Sequence, residues 1–381
     1  MKATVTLKVK LELTADAARA LSETQAAYAV ALNHTSGVAF EKKIFNAVAL
    51  HHVTYKDVRE LTGLPSNLTC SARNVVAEAC KRDITRKHRF SDTAAMRYDA
   101  RTLSVKIEQA FATLTTLQGR VRASLILSDY HRRHLDGSWH VEPTANVTRK
   151  GKVWYLHLIC TRDVPESDGP EVLGVDSGIV RVATTSTGKV FSGGKIKHIR
   201  QQRFRQRRSL QSAGHKTRAQ RRLLKRLAGR EKRAVEWLLW NVANGIVREA
   251  VKINAGVISV EDLKGIRARI RVAKKQRLIQ HGWPFSSLFL KIAHVASKAG
   301  IRVESVDARN TSRTCSRCGH CEKGNRQSQS QFRCRACGYS HNADINASFN
   351  IASRYVEQRC GVVTRRLNVP PSGEGKESRL L

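Results

Sequence analysis

The chain has 381 residues, of which 41% are hydrophobic, enough for two or three domains with buried cores. Lys and Arg number 68 against 31 Asp and Glu, and a net charge of +37 predicts a polyanionic partner such as nucleic acid. No stretch approaches about eighteen uncharged apolar residues and no signal sequence follows Met1, so we expect an intracellular protein without a membrane partner. The scattered cysteines outside two paired motifs suit a reducing compartment.

In the first 165 residues, the spacing of apolar side chains changes from strand-like to helical and then back to strand-like. Residues 4–13 alternate apolar and polar side chains as a half-buried strand does, and Thr14 then caps an Ala-rich helical stretch. Helical patterning continues to about residue 89 and is broken near Gly63, after which Ser66 or Asn67 is the expected cap of a third helix. Strand-like segments then return at 121–127, 138–142, 146–148 and 153–159. We predict a small antiparallel β-barrel from 1–13 and 90–165, with a helical insertion at 14–89.

A proline-bounded linker, 165–170, separates this region from a second pattern. Residues 171–176 form a buried strand that ends in an acid. Further predicted elements are strands at 181–186 and 189–191, a basic helical stretch at 195–233, a helix at 237–251, a strand at 257–260, a helix at 288–299, a strand at 302–306 and a helix from Asn342. These predict an α/β domain over 171–310 and 342–360. The tail, 361–381, is predicted to be disordered.

Three acids stand where a strand ends or a helix begins: Asp176, Glu261 and Asp344. An RNase H type sheet brings such positions together, with the first strand central, the strand that bears the Glu beside it, and the last helix across both. Three carboxylates can then share two Mg²⁺ ions, which together hydrolyse a phosphodiester to a 5′-phosphate and a 3′-hydroxyl. We therefore expect these acids to be the catalytic magnesium ligands.

Each acid also has a local explanation. Asp176 precedes Ser-Gly, as a turn residue does, and Asp344 or Asn342 is a good N-cap for the last helix. Asp262 competes with Glu261, but neighbours on a strand face opposite ways, so only one of them points at the site. We favour Glu261 as the ligand and Asp262 as local support.

Two Cys-x-x-Cys pairs lie fifteen residues apart, Cys315 with Cys318 and Cys334 with Cys337. A Gly after each pair permits the tight turn that exposes backbone N–H groups to a thiolate. This spacing predicts a zinc ribbon at 311–341 that holds one structural Zn²⁺, since four thiolates leave no open position for a substrate. Cys321, His320 or His341 could replace one of the four.

A strongly basic stretch runs from 195 to 233, with sixteen Lys or Arg and one acid, Glu231. Too few acids are present for intrahelical ion pairs, so phosphate contact is favoured over a solvated helix face. The predicted contact residues are Arg203, Arg205, Arg207, Arg208, Arg221, Arg222, Lys225 and Arg226. Residues 267–277 have the same character, and Trp283 with Phe285 is either a base-stacking pair or, more commonly, a core plug.

Five segments in order resemble the signatures of the TnpB family, transposon-encoded relatives of type V CRISPR effectors. They are Gly-Val-Asp-Ser-Gly at 174–178, Val-Glu-Asp-Leu-Lys at 260–264, Asn-Thr-Ser-Arg-Thr-Cys-Ser-Arg-Cys-Gly at 310–319, Phe-Arg-Cys-Arg-Ala-Cys-Gly at 332–338 and Ala-Asp-Ile-Asn-Ala-Ser-Phe-Asn-Ile at 343–351. The match covers about 171–352, and residues 1–165 resemble the family only in layout. The chain departs from many members at Asn342-Ala343, where they have Asp-Arg.

The resemblance implies a multidomain α+β fold: a wedge β-barrel with a helical recognition insertion, then a RuvC-like RNase H fold nuclease domain with an inserted zinc ribbon. It implies a prokaryotic, nucleoid-associated, RNA-guided DNA endonuclease with Asp176, Glu261 and Asp344 as its triad. Its partners would be a guide RNA and a double-stranded DNA target beside a short motif, for which Asn67 and Arg73 are candidate contacts, and no oligomer is required. The alternatives are a guided DNA-binding regulator with little or no cleavage, and an RNase H fold transposase or resolvase.

Overall fold

The computed structural model describes residues 1–212, 214, 217–263, 283 and 285–360. The predictions for the basic run at 267–277 and the tail at 361–381 lie outside the described residues. The chain divides into two compact units, one of residues 2–163 and one of Met1 with the residues from 164 onward. None of the helices in the described part has the length and apolarity needed to cross a bilayer.

The unit of residues 2–163 combines an antiparallel sheet with three long helices. Its elements are β1 Lys2–Glu12, α1 Ala15–Glu41, α2 Ala47–Thr62, α3 Ser66–Arg82, β2 Met96–Tyr98, β3 Leu103–Lys106, β4 Phe111–Thr116, β5 Gly119–Ile126, α4 Asp129–Arg132, β6 His140–Lys150 and β7 Val153–Asp163. The strands form one nearly closed, barrel-like sheet in the order β2-β6-β7-β1-β5-β4-β3. Every second residue of β1 is buried, as its alternating pattern predicted.

Helix boundaries in this unit follow the local chemistry closely. Thr14 caps α1, since its Oγ1 accepts from the N–H of Ala17 at 3.3 Å. Gly63 ends α2 at φ +64°, in the left-handed region that glycine adopts without strain. The predicted cap of α3 by Ser66 or Asn67 is wrong: Pro65 occupies the N-cap position without a side-chain hydrogen bond.

Strand prediction failed where strands are short or irregular. The strands β2, β3 and β4 are three to six residues long and were not predicted. The two strands expected at 138–142 and 146–148 are one strand, β6, with an irregular register between Val141 and Ala145. Pro143 lies within that irregularity, where its missing N–H is tolerated.

The second unit is built on a mixed five-stranded sheet. Its elements are β8 Glu171–Asp176, β9 Arg181–Thr185, β10 Val190–Ser192, α5 Gly194–Ser212, α6 Arg218–Lys252, β11 Ala255–Glu261, α7 Phe285–Ser297, β12 Arg302–Val306, a 3₁₀ turn Lys323–Asn325, β13 Gln331–Arg333, β14 Ser340–Asn342 and α8 Ala343–Cys360. The strand order is β10-β9-β8-β11-β12, with β8, β11 and β12 parallel. This is the predicted arrangement, with the first strand central and the Glu-bearing strand beside it.

Helices cover both faces of this sheet. Residues of α6 and α7 share a core with β8, β9 and β11, and α8 packs against β11 and β12 through Ile351 and Tyr355. Trp283 is 1% exposed within the first core, so the core-plug interpretation is correct for this residue.

The helix α8 approaches β8 very closely. A Cβ atom at Gly174 would lie 2.0 Å from the carbonyl oxygen of Ser348, so only glycine fits there. On the neighbouring strand, the buried Ser259 donates its hydroxyl to the carbonyl of Ile351 at 3.1 Å. These contacts fix the helix that carries the third acid over the two strands that carry the others.

Candidate active site and metal centre

The fold brings Asp176, Glu261 and Asp344 into one cluster. Strands β8 and β11 are parallel neighbours with Val175 opposite Val260, so Asp176 and Glu261, the next residues, lie at the same edge. Asp344 is the second residue of α8, which crosses both strands. The site is therefore assembled at the carboxyl ends of the central strands.

Burial and mutual repulsion set the electrostatics of this cluster. Burial, with the negative charges of Glu261 and Asp344, raises the pKa of Asp176 well above its usual value. Burial also raises the pKa of Glu261, although a hydrogen bond from Thr311 at 2.6 Å and the charges of Arg354 and Arg326 oppose that rise. Like charges held together out of water favour the binding of a cation, and carboxylate oxygens are ligands that Mg²⁺ accepts.

Glu261 lies with the other acids. Its charge acts on Asp176, and its Oε1 accepts from Thr311. The backbone N–H of Asp262 donates to the carbonyl of Val306 on β12 at 2.8 Å. Both residues border a cleft of about 190 Å³ whose far wall is α7, with Phe285 and Phe289.

Asn342, the residue before α8, caps the N-terminus of that helix. The Oδ1 of Asn342 accepts from the N–H groups of Asp344 at 3.1 Å and Ile345 at 3.4 Å. Asn342 is therefore the N-cap, and the local explanation of Asp344 as a cap is wrong. The Asp344 carboxylate is left for other contacts.

Two arginines that were not predicted from the sequence contact the Asp344 carboxylate. Arg181 on β9 donates to Asp344 Oδ2 at 3.1 Å, and Arg326 donates to Asp344 Oδ1 at 3.3 Å. Both were indistinguishable from the other arginines of so basic a chain. The signal for Arg326 was its position between the two cysteine pairs, eighteen residues before the third acid.

Buried amides on α8 fasten the segment that leads into the ribbon. Asn346 Nδ2 donates to the carbonyl of Thr314 at 2.8 Å, and its Oδ1 accepts from the N–H of Ser316 at 3.0 Å. Asn350 Nδ2 donates to the carbonyls of Thr311 at 2.8 Å and Thr314 at 2.6 Å. These polar residues at i and i+4 on a buried helix face hold Thr311 beside Glu261.

The second candidate metal centre is the cysteine tetrad. In the described part of the chain, Cys315, Cys318, Cys334 and Cys337 are the group of potential ligands whose donor atoms all lie within 4.8 Å of one another. Sulfur separations are 3.7 Å between Cys315 and Cys337 and 3.5 Å between Cys318 and Cys334. Four sulfurs bound to one Zn²⁺ at about 2.3 Å stand roughly 3.8 Å apart, so the four cysteines fit such an ion.

Each pair of cysteines has the same turn. Gly319 and Gly338 have φ of +83° and +70°, and their N–H groups donate to the carbonyls of Cys315 and Cys334 at 2.9 and 3.1 Å. Burial raises the pKa of the Cys315 thiol, and N–H groups of Arg317 and Cys318 oppose this. Burial acts likewise at Cys334, but the N–H groups of Cys337 and Ala336 together with the neighbouring thiols outweigh it and lower the pKa of this thiol to about 7. Both turns thus present donors to sulfur, as predicted.

The alternative ribbon ligands lie outside the tetrad. Cys321 is exposed and pairs by its backbone with Thr314. His320 contacts Glu322 at 3.2 Å, and His341 Nδ1 accepts from the N–H of Asn342 at 2.8 Å.

The basic stretch forms the helices α5 and α6. Six of its eight predicted contact residues are exposed: Arg205, Arg208, Arg221, Arg222, Lys225 and Arg226. The other two are half-buried and have partners within these helices, Arg203 with Gln206 at 2.7 Å and Arg207 with Glu231. In the other unit, Asn67 and Arg73 are half-buried on α3, and Arg73 donates to Asn74.

Comparison with known proteins gives two matches that lie mostly in the second unit. Residues 157–267 match the family model described as "Probable transposase", and residues 285–351 match "Cas12f1-like, TNB domain". The chain is 31% identical over 57% of its length to "CRISPR-associated endodeoxyribonuclease Cas12f1" of Syntrophomonas palmitatica, and 31% identical over 41% to "TnpB-like protein MJ0751" of Methanocaldococcus jannaschii. The resemblance to the TnpB family is confirmed. The chain spans about half the length of these curated relatives, 46% and 56%.

A solved structure has the same fold as this chain. It is the cryo-EM structure of a Cas12f1–sgRNA–target DNA complex, with a TM-score of 0.67 and 16% sequence identity. The match covers 92% of this chain and 99% of the other. The predicted multidomain α+β fold with a nearly closed N-terminal barrel-like sheet is thereby confirmed, and the cysteine cluster is consistent with the predicted zinc ribbon.

Proposed function

We propose that this chain is an RNA-guided DNA endonuclease that cuts target DNA beside a short recognition motif. The observation that carries the proposal is the cluster of Asp176, Glu261 and Asp344 at one edge of an RNase H type sheet. Support comes from the similarity to Cas12f1, named an endodeoxyribonuclease, and from the shared fold with a complex that contains guide RNA and target DNA.

The three acids are proposed to be the catalytic residues and to hold two Mg²⁺ ions. Bound there, such ions would supply activation of water on one side of the phosphodiester and stabilisation of the leaving oxygen on the other. Thr311 orients Glu261 by its hydrogen bond, and Arg326 brings a positive charge that acts on Asp176, Glu261 and Asp344 together.

The cysteine tetrad is proposed to hold one structural Zn²⁺. Four thiolates complete a tetrahedral site, so the ion supplies folding energy and leaves no position for substrate. The ribbon at 311–341 would then fix the segment from Thr311, which donates a hydrogen bond to Glu261, to Asp344. Two of the three acids would thus depend on the ribbon.

Nucleic acid is proposed to contact the exposed arginines of α5 and α6, and Asn67 and Arg73 are proposed contacts to the target-adjacent motif. Pairing with the guide RNA would read the target sequence, while the protein reads backbone shape and the motif. We assign the wedge to 1–13 and 90–165, the recognition lobe to 14–89 and the nuclease domain to 171–310 and 342–360. A nucleoid-associated location follows from such partners.

The direct test is purification of the full chain with its co-expressed RNA. The copurified RNA is sequenced, and the complex is incubated with matching and non-matching duplex DNA, with Mg²⁺ and without it. We expect RNA from the transposon end and cleavage of matching DNA only, dependent on Mg²⁺. Equal cutting of both DNAs, or recovery of the chain free of RNA, would contradict the proposal.

A second candidate, an RNase H fold transposase, is favoured by the description of the matched family model at 157–267. It predicts joined strand-transfer products from the same incubation, without need of a guide. A guided regulator predicts tight binding of matching DNA and no nicked product at any divalent metal concentration.

A further inference from the structure

Arg181 joins two parts of the nuclease unit at one point. A single nitrogen, Nη1, donates to Asn342 Oδ1 at 2.7 Å and to Asp344 Oδ2 at 3.1 Å. The side chains of Arg181 and Asp344 are only 24% and 15% exposed. Asn342 ends β14 of the ribbon, and Asp344 lies in the first turn of α8. One arginine of the sheet therefore contacts the end of the ribbon and the third acid together.

We propose that Arg181 is a positioning residue for Asp344. Arg181 holds the first turn of α8 so that the third carboxylate faces Asp176 and Glu261. The inference rests on the proposed function, because it assigns Asp344 to the magnesium site. It concerns a side chain that lies outside the three acids and the four cysteines.

The anchor of Arg181 is the sheet itself. Its backbone begins β9, where it lies opposite Ser192 of β10. The same strand pairs with β8 at Thr184 and Asp176. A contact from Arg181 to Asp344 thus fixes the third acid relative to the strand pair that carries the first acid.

The contact also reaches the cap of α8. Asn342 Oδ1 accepts from Arg181 and from the N–H groups of Asp344 and Ile345. Loss of the guanidinium removes the donor that holds this amide oxygen against the sheet. We therefore expect the cap and the acid to loosen together.

Arg326 has a different geometry and cannot replace this contact. It belongs to the ribbon, donates to the other oxygen of Asp344 at 3.3 Å, and also donates to the carbonyl of Gln329 at 3.2 Å. Each carboxylate oxygen has two lone pairs, so a guanidinium on Oδ2 leaves room for a metal ion on the same carboxylate. Arg181 therefore orients a ligand without occupying its full capacity.

The test uses the full chain loaded with zinc and compares wild type, Arg181→Ala, Arg181→Lys, Arg359→Ala and, as a check on the metal site itself, Asp176→Ala. Arg359 is 59% exposed, pairs with Glu304 and lies near the other end of α8, so its removal is a matched loss of charge. Binding of Mn²⁺ is measured by electron paramagnetic resonance, and exchange of the Asp344 and Ile345 amides by hydrogen exchange. Neither readout requires cleavage.

We expect Arg181→Ala to bind Mn²⁺ about tenfold more weakly, as for loss of a hydrogen-bonding partner of a metal ligand. Its Asp344 and Ile345 amides should exchange faster, Arg181→Lys should recover part of both effects, and Arg359→Ala should match wild type. If melting shows that Arg181→Ala does not fold, Arg181→Gln carries the same expectations.

Two results overturn the inference. If Arg181→Ala binds Mn²⁺ as tightly as wild type or more tightly, the arginine is a competing charge and not a positioning residue, while the acid cluster stands. If the Asp176→Ala variant binds Mn²⁺ as tightly as wild type does, the proposed magnesium site fails, and the role of Arg181 fails with it.

Discussion

The two candidate metal centres of this chain are assembled in opposite ways. The cysteine tetrad comes from two copies of one local turn, each with a Gly at positive φ and N–H donors to sulfur. The carboxylate cluster comes from two strand ends and one helix start, which only the completed sheet brings together. Short-range geometry thus determines the first centre, and the tertiary fold determines the second.

The two centres are nevertheless mechanically connected. Asn346 and Asn350 of α8 hold the segment that enters the ribbon, and that segment supplies Thr311 to Glu261. Arg326, between the cysteine pairs, contacts Asp344. Damage to the ribbon should therefore disturb the acids, whereas damage to the acids should leave the ribbon intact.

The largest effect is expected from Cys334→Ser, which removes a buried thiolate. The variant should lose the one equivalent of zinc per chain, melt at a much lower temperature and lose cleavage, because structural zinc contributes folding energy. Metal analysis and thermal melting measure this. Cys321→Ser, a change at an exposed thiol outside the tetrad, should keep its zinc. Full zinc content in Cys334→Ser would break the proposed distinction between the two centres.

The same contrast explains what could be predicted from the sequence. The tetrad, its turns and the three acids were all predicted from motif spacing, two strand ends and one helix start. Arg181, Arg326 and Asn350 were not, because their partners lie far away in sequence and their residue types are common in this chain. The short strands β2 to β4 were missed because three to six residues carry too little periodicity to be recognised.

The close packing of α8 on β8 gives the next largest effect. Gly174→Ala places a Cβ 2.0 Å from the Ser348 carbonyl and should lower the free energy of unfolding by about 1–3 kcal/mol or more. It should also weaken cleavage, since Asp176 and Asp344 lie on these two elements. Gly229→Ala in α6 meets only the flexible end of Arg233 and should be neutral or stabilising by up to about 1 kcal/mol. Chemical denaturation measures both, and equal stabilities would show that α8 has room to move.

Removing a charge from the acid cluster should stabilise the fold, whereas Gly174→Ala should destabilise it. Burial and the charges of Glu261 and Asp344 raise the pKa of Asp176 in the folded chain above its unfolded value. The folded chain then binds more protons between these two pKa values, so its stability should fall as pH rises through that window. In buffer without Mg²⁺, Asp176→Asn should melt higher than wild type at neutral pH and lose this part of the pH dependence. A lower melting temperature for Asp176→Asn would contradict the account.

The smallest effect concerns the basic helices. Arg205 and Arg208 are exposed, whereas Arg207 pairs with Glu231. The double change Arg205→Ala/Arg208→Ala should reduce the slope of log affinity for nucleic acid against log salt by about 1.5, from roughly 0.7–0.9 per phosphate contact. Arg207→Ala should leave the slope nearly unchanged. Binding titrations at several salt concentrations distinguish the two variants, and equal slopes would remove the distinction between exposed and paired arginines.

The central claim is that the three acids cut the DNA and do not merely stabilise the fold. The most direct measurement is single-turnover cleavage of matching DNA by complexes of wild type, Asp176→Ala and the surface control Glu304→Ala, with DNA binding measured in parallel. We predict that Asp176→Ala lowers the cleavage rate by roughly 10³-fold or more while DNA binding is retained, and that Glu304→Ala behaves as wild type. Cleavage by Asp176→Ala at the wild-type rate would contradict the account.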